Sequence, residues 1–245
     1  MYRILFSLAL ALIFSLRICA QETTFYQDVA FINNISVGLP EGSIDQISIV
    51  DNTPIATTTS GQYEWKDSKW IRSKKGYSAA SLPKFKGLPE EAGRVLSTTN
   101  FGNTTYVGCE NGLYVKIGNN KWKRELPSDI NYSWALKEVA ALTVDTKNRL
   151  WFGAKQGIGR LEKDKWTLFT GKEGVPYTNF NCAAPGPKGQ VWFGTEYGAF
   201  RVEENTFFFR ANRRWLPDNH VNSIAVDAKG TAWIATKNGL AQIVS

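Results

Sequence analysis

The chain has 245 residues, of which 43% are hydrophobic and 21% are charged, so it can bury a substantial core and is not an intrinsically disordered protein. Its formal net charge of +7 includes two arginines of the leader described next, and the remaining excess is too mild to imply a nucleic-acid partner. The single histidine excludes a metal site built from several histidines and a two-histidine catalytic mechanism.

The first twenty residues have the layout of a secretory signal peptide. Arg3 provides a positive start, residues 4–16 form an apolar stretch, and Ala20 is a small residue at the expected cleavage point. The apolar stretch is too short to cross a bilayer of ~30 Å as a helix. We therefore predict a signal peptide at 1–20, a secreted or periplasmic mature chain, and no membrane span. A lipoprotein acylated at Cys19 is the alternative, disfavoured because small residues normally precede such a cysteine.

One motif recurs along the rest of the chain, and such repetition decides the fold. Its clearest copies centre on Trp151, Trp192 and Trp233, which are 41 residues apart both times. These tryptophans are expected to pack between repeats. Degenerate copies at 54–63 and 104–113 bring the number of copies to five. Every copy has a glycine where a tight hairpin needs a positive φ, namely Gly61, Gly112, Gly157, Gly198 and Gly239.

The copy around Trp151 divides into four short strands, at 139–144, 149–154, 157–161 and 165–169. Four-stranded units of ~40 to 45 residues are typical of propeller blades, so we predict an all-β fold, a β-propeller of five four-stranded blades. The last copy lacks a fourth strand, whereas 25–32 forms a spare one. We predict that this N-terminal strand completes the last blade and closes the ring, with 21–245 as a single domain. The alternative is a piece of a larger ring or of a longer protein.

The segment at 221–240, Val-Asn-Ser-Ile-Ala-Val-Asp-Ala-Lys-Gly-Thr-Ala-Trp-Ile-Ala-Thr-Lys-Asn-Gly-Leu, resembles the two-component regulator propeller repeat. Residues 139–158 and the stretch from Gly189 onward are also similar to it. The resemblance implies a propeller from the exported sensor part of signalling proteins, often tied to polysaccharide use. The sequence has fewer repeats than the usual paired seven-bladed sensors and no kinase module, so only the role of binding module is expected to carry over.

The sequence shows no residue pattern typical of an enzyme. Asp145 and Asp227 recur in the turn between first and second strands, a position that favours aspartate for structural reasons. His220 is expected to be a loop residue, and no cofactor or metal is predicted. A streptogramin-lyase-like propeller is a poor match, because that chemistry depends on a metal site of histidine and acidic residues and His220 is the only histidine of the chain.

The alternative function is a polysaccharide-active enzyme, a glycoside hydrolase or lyase, using pore-facing carboxylates. Asp45, Glu91 and Glu138 lie near the starts of predicted inner strands, but nothing about their spacing singles them out. A purely structural propeller is a third possibility.

A ligand is expected on the propeller face that collects the loops entering each first strand and the turns between second and third strands. Aromatic, amide and arginine side chains there suit a carbohydrate or a protein partner. Signalling or assembly partners are compatible with this role, whereas the basic stretch 66–75 is interpreted as a solvated outer strand and not as a nucleic-acid site. The predicted ligand-binding residues are Tyr132, Trp134, Tyr177, Asn179, Tyr197, Arg214, Trp215, Asn219 and His220.

Overall fold

A computed structural model describes residues 28–33, 35–76 and 82–244. The predicted signal peptide and residues 25–27 of the predicted N-terminal strand lie outside these ranges. In the described ranges no helix has the length and apolar character needed to span a membrane. The helical segments are single 3-10 turns at Ile35–Val37, Glu90–Ala92, Gly171–Glu173 and Pro187–Gly189.

Within the described residues, twenty strands form five four-stranded antiparallel sheets, as predicted for an all-β fold with five blades. The strands are Val29–Asn33 (β1), Gln46–Val50 (β2), Thr53–Thr58 (β3), Gly61–Lys66 (β4), Lys69–Arg72 (β5), Val95–Phe101 (β6), Thr104–Cys109 (β7), Gly112–Gly118 (β8), Lys121–Glu125 (β9), Ala141–Val144 (β10), Leu150–Ala154 (β11), Gly157–Glu162 (β12), Lys165–Phe169 (β13), Phe180–Pro185 (β14), Val191–Thr195 (β15), Gly198–Glu203 (β16), Thr206–Arg210 (β17), Val221–Val226 (β18), Ala232–Thr236 (β19) and Gly239–Val244 (β20).

The first four sheets run in chain order, as β2–β5, β6–β9, β10–β13 and β14–β17. The fifth sheet has the order β18-β19-β20-β1, so the N-terminal strand is its outer strand. β1 pairs with β20 in antiparallel register, with Val29 opposite Val244. Asp28, just before β1, also pairs with Arg201 and Arg210 of the fourth sheet. Backbone pairing and buried ion pairs therefore both hold the N-terminal strand in place.

Four pairs of neighbouring sheets meet through their first strands, which are the inner strands of the blades. Four hydrophobic clusters couple the second sheet to the third, the third to the fourth, the fourth to the fifth, and the fifth to the first. Trp151, Trp192 and Trp233 lie buried in these junctions, as predicted. A fifth cluster packs the second sheet against Phe85 and Leu88 of the segment that precedes it. Among the described residues, none of these clusters joins the first sheet to the second.

Two glycines of the repeat show why the motif needs them. Gly157 begins β12 with a φ of 146°, and a Cβ there would lie 2.2 Å from the carbonyl oxygen of Phe169. Gly153 lies in β11 beneath the next sheet, where a Cβ would come within 2.7 Å of the Phe180 ring. The first glycine permits the hairpin, and the second permits close packing between sheets.

The recurring aspartates are structural, as predicted. Asp145 accepts hydrogen bonds from the backbone N–H groups of Lys147 and Arg149, at 2.9 and 3.0 Å. Its Oδ2 accepts a third bond from Trp151 Nε1 at 2.7 Å. Asp227 makes the three equivalent bonds in the fifth sheet. Each aspartate therefore ties the turn between the first two strands to the buried tryptophan of its blade.

The fourth sheet has Gly186 where the third and fifth have aspartate, and Trp192 Nε1 is buried without a hydrogen-bond acceptor among the described residues. We expect Gly186→Asp to raise the free energy of unfolding by about 1 kcal/mol, because it supplies the missing acceptor. Gln190 must shift slightly, since its Cβ lies 3.3 Å from the new Cβ. Urea denaturation measures the change. Gly186→Ala is the control, and an equal gain from alanine would show that the acceptor is not the cause.

Candidate functional site

The five blades expose two different ends. We call the end with the loops entering each first strand, and the turns between second and third strands, the loop face. The opposite end, with the turns between first and second and between third and fourth strands, is the turn face. A cavity of about 720 Å³ opens on the loop face, where the second, third and fourth sheets meet. Its polar lining includes Arg94, Glu110, Asn111, Lys137, Glu138, Lys155, Asn179 and Glu196.

Four charged groups of this loop-face cavity form two ion pairs, and the other two, Lys137 and Glu196, bond to asparagine amides. Arg94 Nε lies 3.1 Å from Glu110 Oε1, and Lys155 Nζ lies 3.0 Å from Glu138 Oε1. Amide groups complete the pattern, since Asn179 Nδ2 donates to an oxygen of Glu196 at 3.3 Å. Exposed pairs of this kind contribute only about 0–1 kcal/mol each. A ligand rich in hydroxyl or amide groups could therefore exchange hydrogen bonds with them at little cost.

Three of the predicted site residues come together beside this cavity. The Tyr177 and Tyr197 rings have centroids 5.0 Å apart, and the side chains are 40% and 48% exposed. Asn179 lines the cavity itself. The turn carrying Tyr197 is fixed, because the Tyr197 backbone N–H donates to Thr195 Oγ1 at 3.0 Å. The two tyrosines form an exposed aromatic surface next to a polar cavity.

Tyr132 and Trp134 lie in the segment that connects the second sheet to the third. The Tyr132 hydroxyl donates to Glu173 Oε1 at 3.0 Å, and its ring lies 5.8 Å from Trp134. Hydrogen bonds, chiefly from the backbone and side chain of Thr170, lower the pKa of Glu173. Trp134 is only 8% exposed and belongs to the cluster with Phe152. The structure therefore places Trp134 in the core, where few of its atoms could touch a ligand.

The other four predicted residues brace the loop entering the fifth sheet. Two guanidinium groups lie over the Trp215 ring, those of Arg210 at 4.4 Å and Arg214 at 5.3 Å from its centroid. Asn219 Oδ1 accepts from the backbone N–H of residue 212 at 2.7 Å. The backbone N–H of His220 donates to the side chain of residue 218 at 2.8 Å. The side chains of Arg214, Trp215 and Asn219 therefore contact the loop itself, whereas His220 contributes its backbone N–H.

Sequence reasoning did not single out Arg94, Lys137 and Glu196, which line the cavity. Arg94 and Lys137 precede an inner strand, and Glu196 lies two residues before the hairpin glycine of its copy. Residues at these repeat positions lie on the loop face in every blade, so the repeat itself could have indicated them as candidate site residues. Within the described residues, no group of three or more His, Cys, Asp or Glu side chains is arranged to hold a metal ion.

Comparison with known proteins supports the repeat and the fold. Residues 216–238 match the family described as two component regulator propeller, which confirms the resemblance for this repeat. No curated protein is significantly similar in sequence.

Two solved structures have the same fold at low identity. The extracellular domain of BT4673 from B. thetaiotaomicron, a proposed hybrid two component system, is 19% identical with a TM-score of 0.51. The match covers 81% of this chain and 26% of that domain. A streptogramin B lyase is 17% identical with a TM-score of 0.51, over 81% of this chain and 63% of the lyase. The chain thus spans about a quarter of the first structure and less than two thirds of the second.

Proposed function

We propose that this chain is an exported, non-catalytic β-propeller that recognises a carbohydrate or protein ligand through its loop face. The exposed pair of Tyr177 and Tyr197 beside the loop-face cavity carries the proposal. Flat aromatic faces suit sugar rings, and tyrosine is also enriched among the residues that dominate protein interfaces. The paired polar groups of the cavity would bind hydroxyl or amide groups of the same ligand.

Export and a sensor-like role form part of this proposal. The signal peptide at 1–20 and the single domain at 21–245 are its sequence basis. The likeness in fold to an extracellular domain of a proposed two component system supports it, as does the repeat at 216–238. A signalling or assembly partner would then respond to the binding of the ligand.

We also propose that β1 acts as the closing strand of the propeller. Its five-residue pairing with β20 supports this role, as do the ion pairs of Asp28 with the fourth sheet. Closure of the five blades into a complete ring stays a prediction.

The test of the loop face uses a glycan array and a pull-down with the mature chain. Tyr177→Ala combined with Tyr197→Ala should weaken binding about 30-fold, because a buried aromatic contact of this kind contributes about 2 kcal/mol. Ile71→Ala combined with Ile117→Ala is the matched control, since it removes two exposed apolar side chains (50% and 61%) from outside the loop face. Unchanged binding by the tyrosine variant would place the ligand elsewhere.

The alternative, a polysaccharide-active enzyme, rests on the carboxylates of Glu110, Glu138 and Glu196 around the loop-face cavity. An enzyme would release shorter or unsaturated sugars from a polysaccharide, and Glu138→Gln would abolish this release. A binding protein would retain the polysaccharide without any product.

A further inference from the structure

A second cavity lies on the turn face, between the first and fifth sheets. Its volume is about 380 Å³, and we call it the tryptophan cavity. The indole rings of Trp65 and Trp233 form its aromatic wall, and Pro54 also lines it. It is separate from the loop-face cavity, because it is built from the opposite ends of the strands and from different sheets.

The aromatic wall is held in a fixed arrangement. The rings of Trp65, Trp70 and Trp233 pack on one another with centroid distances of 5.3 to 5.8 Å. Trp70 and Trp233 are buried, and their indole N–H groups donate to the side chains of Asn33 and Asp227. Trp65 is half-buried, and no described residue accepts its indole N–H. Two buried rings thus hold a third that faces the cavity with a free donor.

Polar side chains that line the tryptophan cavity are unpaired within the described chain. The amides of Asn52 and Gln242 and the hydroxyl of Thr231 line it and make no hydrogen bond to another described side chain or backbone group. The loop-face cavity differs, since its polar groups bond to one another. Asp227 is also present, but it already accepts three hydrogen bonds from its own turn. Lys229 also lines the cavity, and its ammonium group has no ion-pair partner among the described residues. The free groups are therefore this one cation and several neutral donors and acceptors.

We propose that the tryptophan cavity binds a neutral pyranose sugar. The exposed part of the Trp65 indole would stack on the apolar face of the ring. The free amides of Asn52 and Gln242 would exchange hydrogen bonds with its hydroxyl groups. The absence of an unpaired carboxylate among the described lining residues argues against a cationic ligand. This inference does not depend on the function proposed for the loop face.

The neighbouring strands extend the site beyond a single ring. Phe31 of β1 lies opposite Gln242 of β20, which in turn lies opposite Trp233 of β19. Directly opposed residues of adjacent strands point to the same side of the sheet, so these three side chains share a row about 10 Å long. Phe31 is 54% exposed, and Val29 and Val244 beside it are also exposed. An oligosaccharide could contact Phe31 as well as the cavity and should bind more tightly than a monosaccharide.

Saturation-transfer NMR with the mature chain tests the proposal. The probes are the methyl glycosides of glucose, galactose, mannose, xylose and N-acetylglucosamine. At least one should receive saturation from the protein, with affinity reduced tenfold or more in Trp65→Ala and about fivefold in Gln242→Ala or Asn52→Ala. The amide variants alter accessible side chains and keep the test valid if Trp65→Ala is unstable in a thermal melt.

The matched control is Ile71→Ala combined with Ile117→Ala, which removes two exposed apolar side chains outside both cavities and should bind the glycoside as the unaltered chain does. A signal lost in the loop-face variant with Tyr177→Ala and Tyr197→Ala but kept in Gln242→Ala and Asn52→Ala would overturn the proposal and assign the sugar to the loop face. The absence of saturation transfer to any of the five glycosides would also overturn it. So would binding of a tryptophan-containing peptide but of no glycoside, since the cavity would then serve a protein partner.

Discussion

Asp145→Ala is expected to lower the free energy of unfolding by about 3–5 kcal/mol, the range found when one partner of a buried ion pair is removed. Asp145 is 5% exposed, and its Oδ2 lies 2.6 Å from Nε of Arg149, which is itself 2% exposed. The change would also remove the acceptor for Trp151 Nε1 and for two backbone N–H groups. Guanidinium chloride denaturation followed by tryptophan fluorescence measures the loss.

The second anionic partner of Arg149 cannot replace Asp145. Glu204 lies 3.1 Å from Arg149 Nη1, but its carboxylate is 60% exposed. Hydrogen bonds from Lys147 and then from Arg149 lower the pKa of Glu204. The stabilisation from this carboxylate is therefore present above its ordinary pKa and lost as the pH falls through the lowered value.

Asp227→Ala is the control for the buried charge. Asp227 makes the same backbone and indole bonds, but a threonine occupies the position of Arg149 and the aspartate is only partly buried. Its loss should cost about 1–2 kcal/mol. Equal losses for the two variants would mean that the turn bonds, and not the pair with Arg149, provide the stability.

Phe193→Ala should also cost about 3–5 kcal/mol, because a large side chain leaves a cavity in a packed core. Phe193 has no exposed area. Its ring lies 5.5 Å from both Phe180 and Phe200 and 6.5 Å from Trp151. These rings join the third sheet to the fourth, and Phe180 also lines the loop-face cavity. Thermal and urea denaturation measure the change.

Phe31→Ala is the matched control for Phe193→Ala. The same side chain is removed, but Phe31 is 54% exposed, so the expected change is within about 0.5 kcal/mol. If both variants lost the same stability, burial at the sheet junction would not be the reason for the effect.

The repeat made the sheets predictable, because the hairpin glycines and buried tryptophans are set by local backbone conformation and packing. The predicted strand 165–169 coincides with β13. The predicted strand 139–144 is shorter in the structure and begins at Ala141. The reason is a contact between sheets, because the backbone N–H of Val139 donates to the carbonyl oxygen of Cys109 in the second sheet. The sequence of a single repeat does not reveal a hydrogen bond to a different repeat.

The candidate site was less predictable, because loop length differs between copies. Tyr177 and Tyr197 remain exposed, as a ligand-binding role requires. Trp134 occupies an equally suggestive position, yet the longer segment before the third sheet folds back. A Cβ on Gly157 would lie 3.0 Å from its ring. The tryptophan cavity combines strands from the two ends of the chain, so no local pattern indicated it.

The register of β1 has a mechanical consequence. Val29 and Val244 occupy the same rung of the antiparallel ladder, at the end of the sheet that Asp28 anchors. Tension applied between residues 28 and 244 would break the residue pairs between β1 and β20 one after another, from Val29 to Asn33. The ion pairs of Asp28 would break first, and β1 would peel away while the other nineteen described strands stayed folded. A tether attached at this corner would therefore yield at low force.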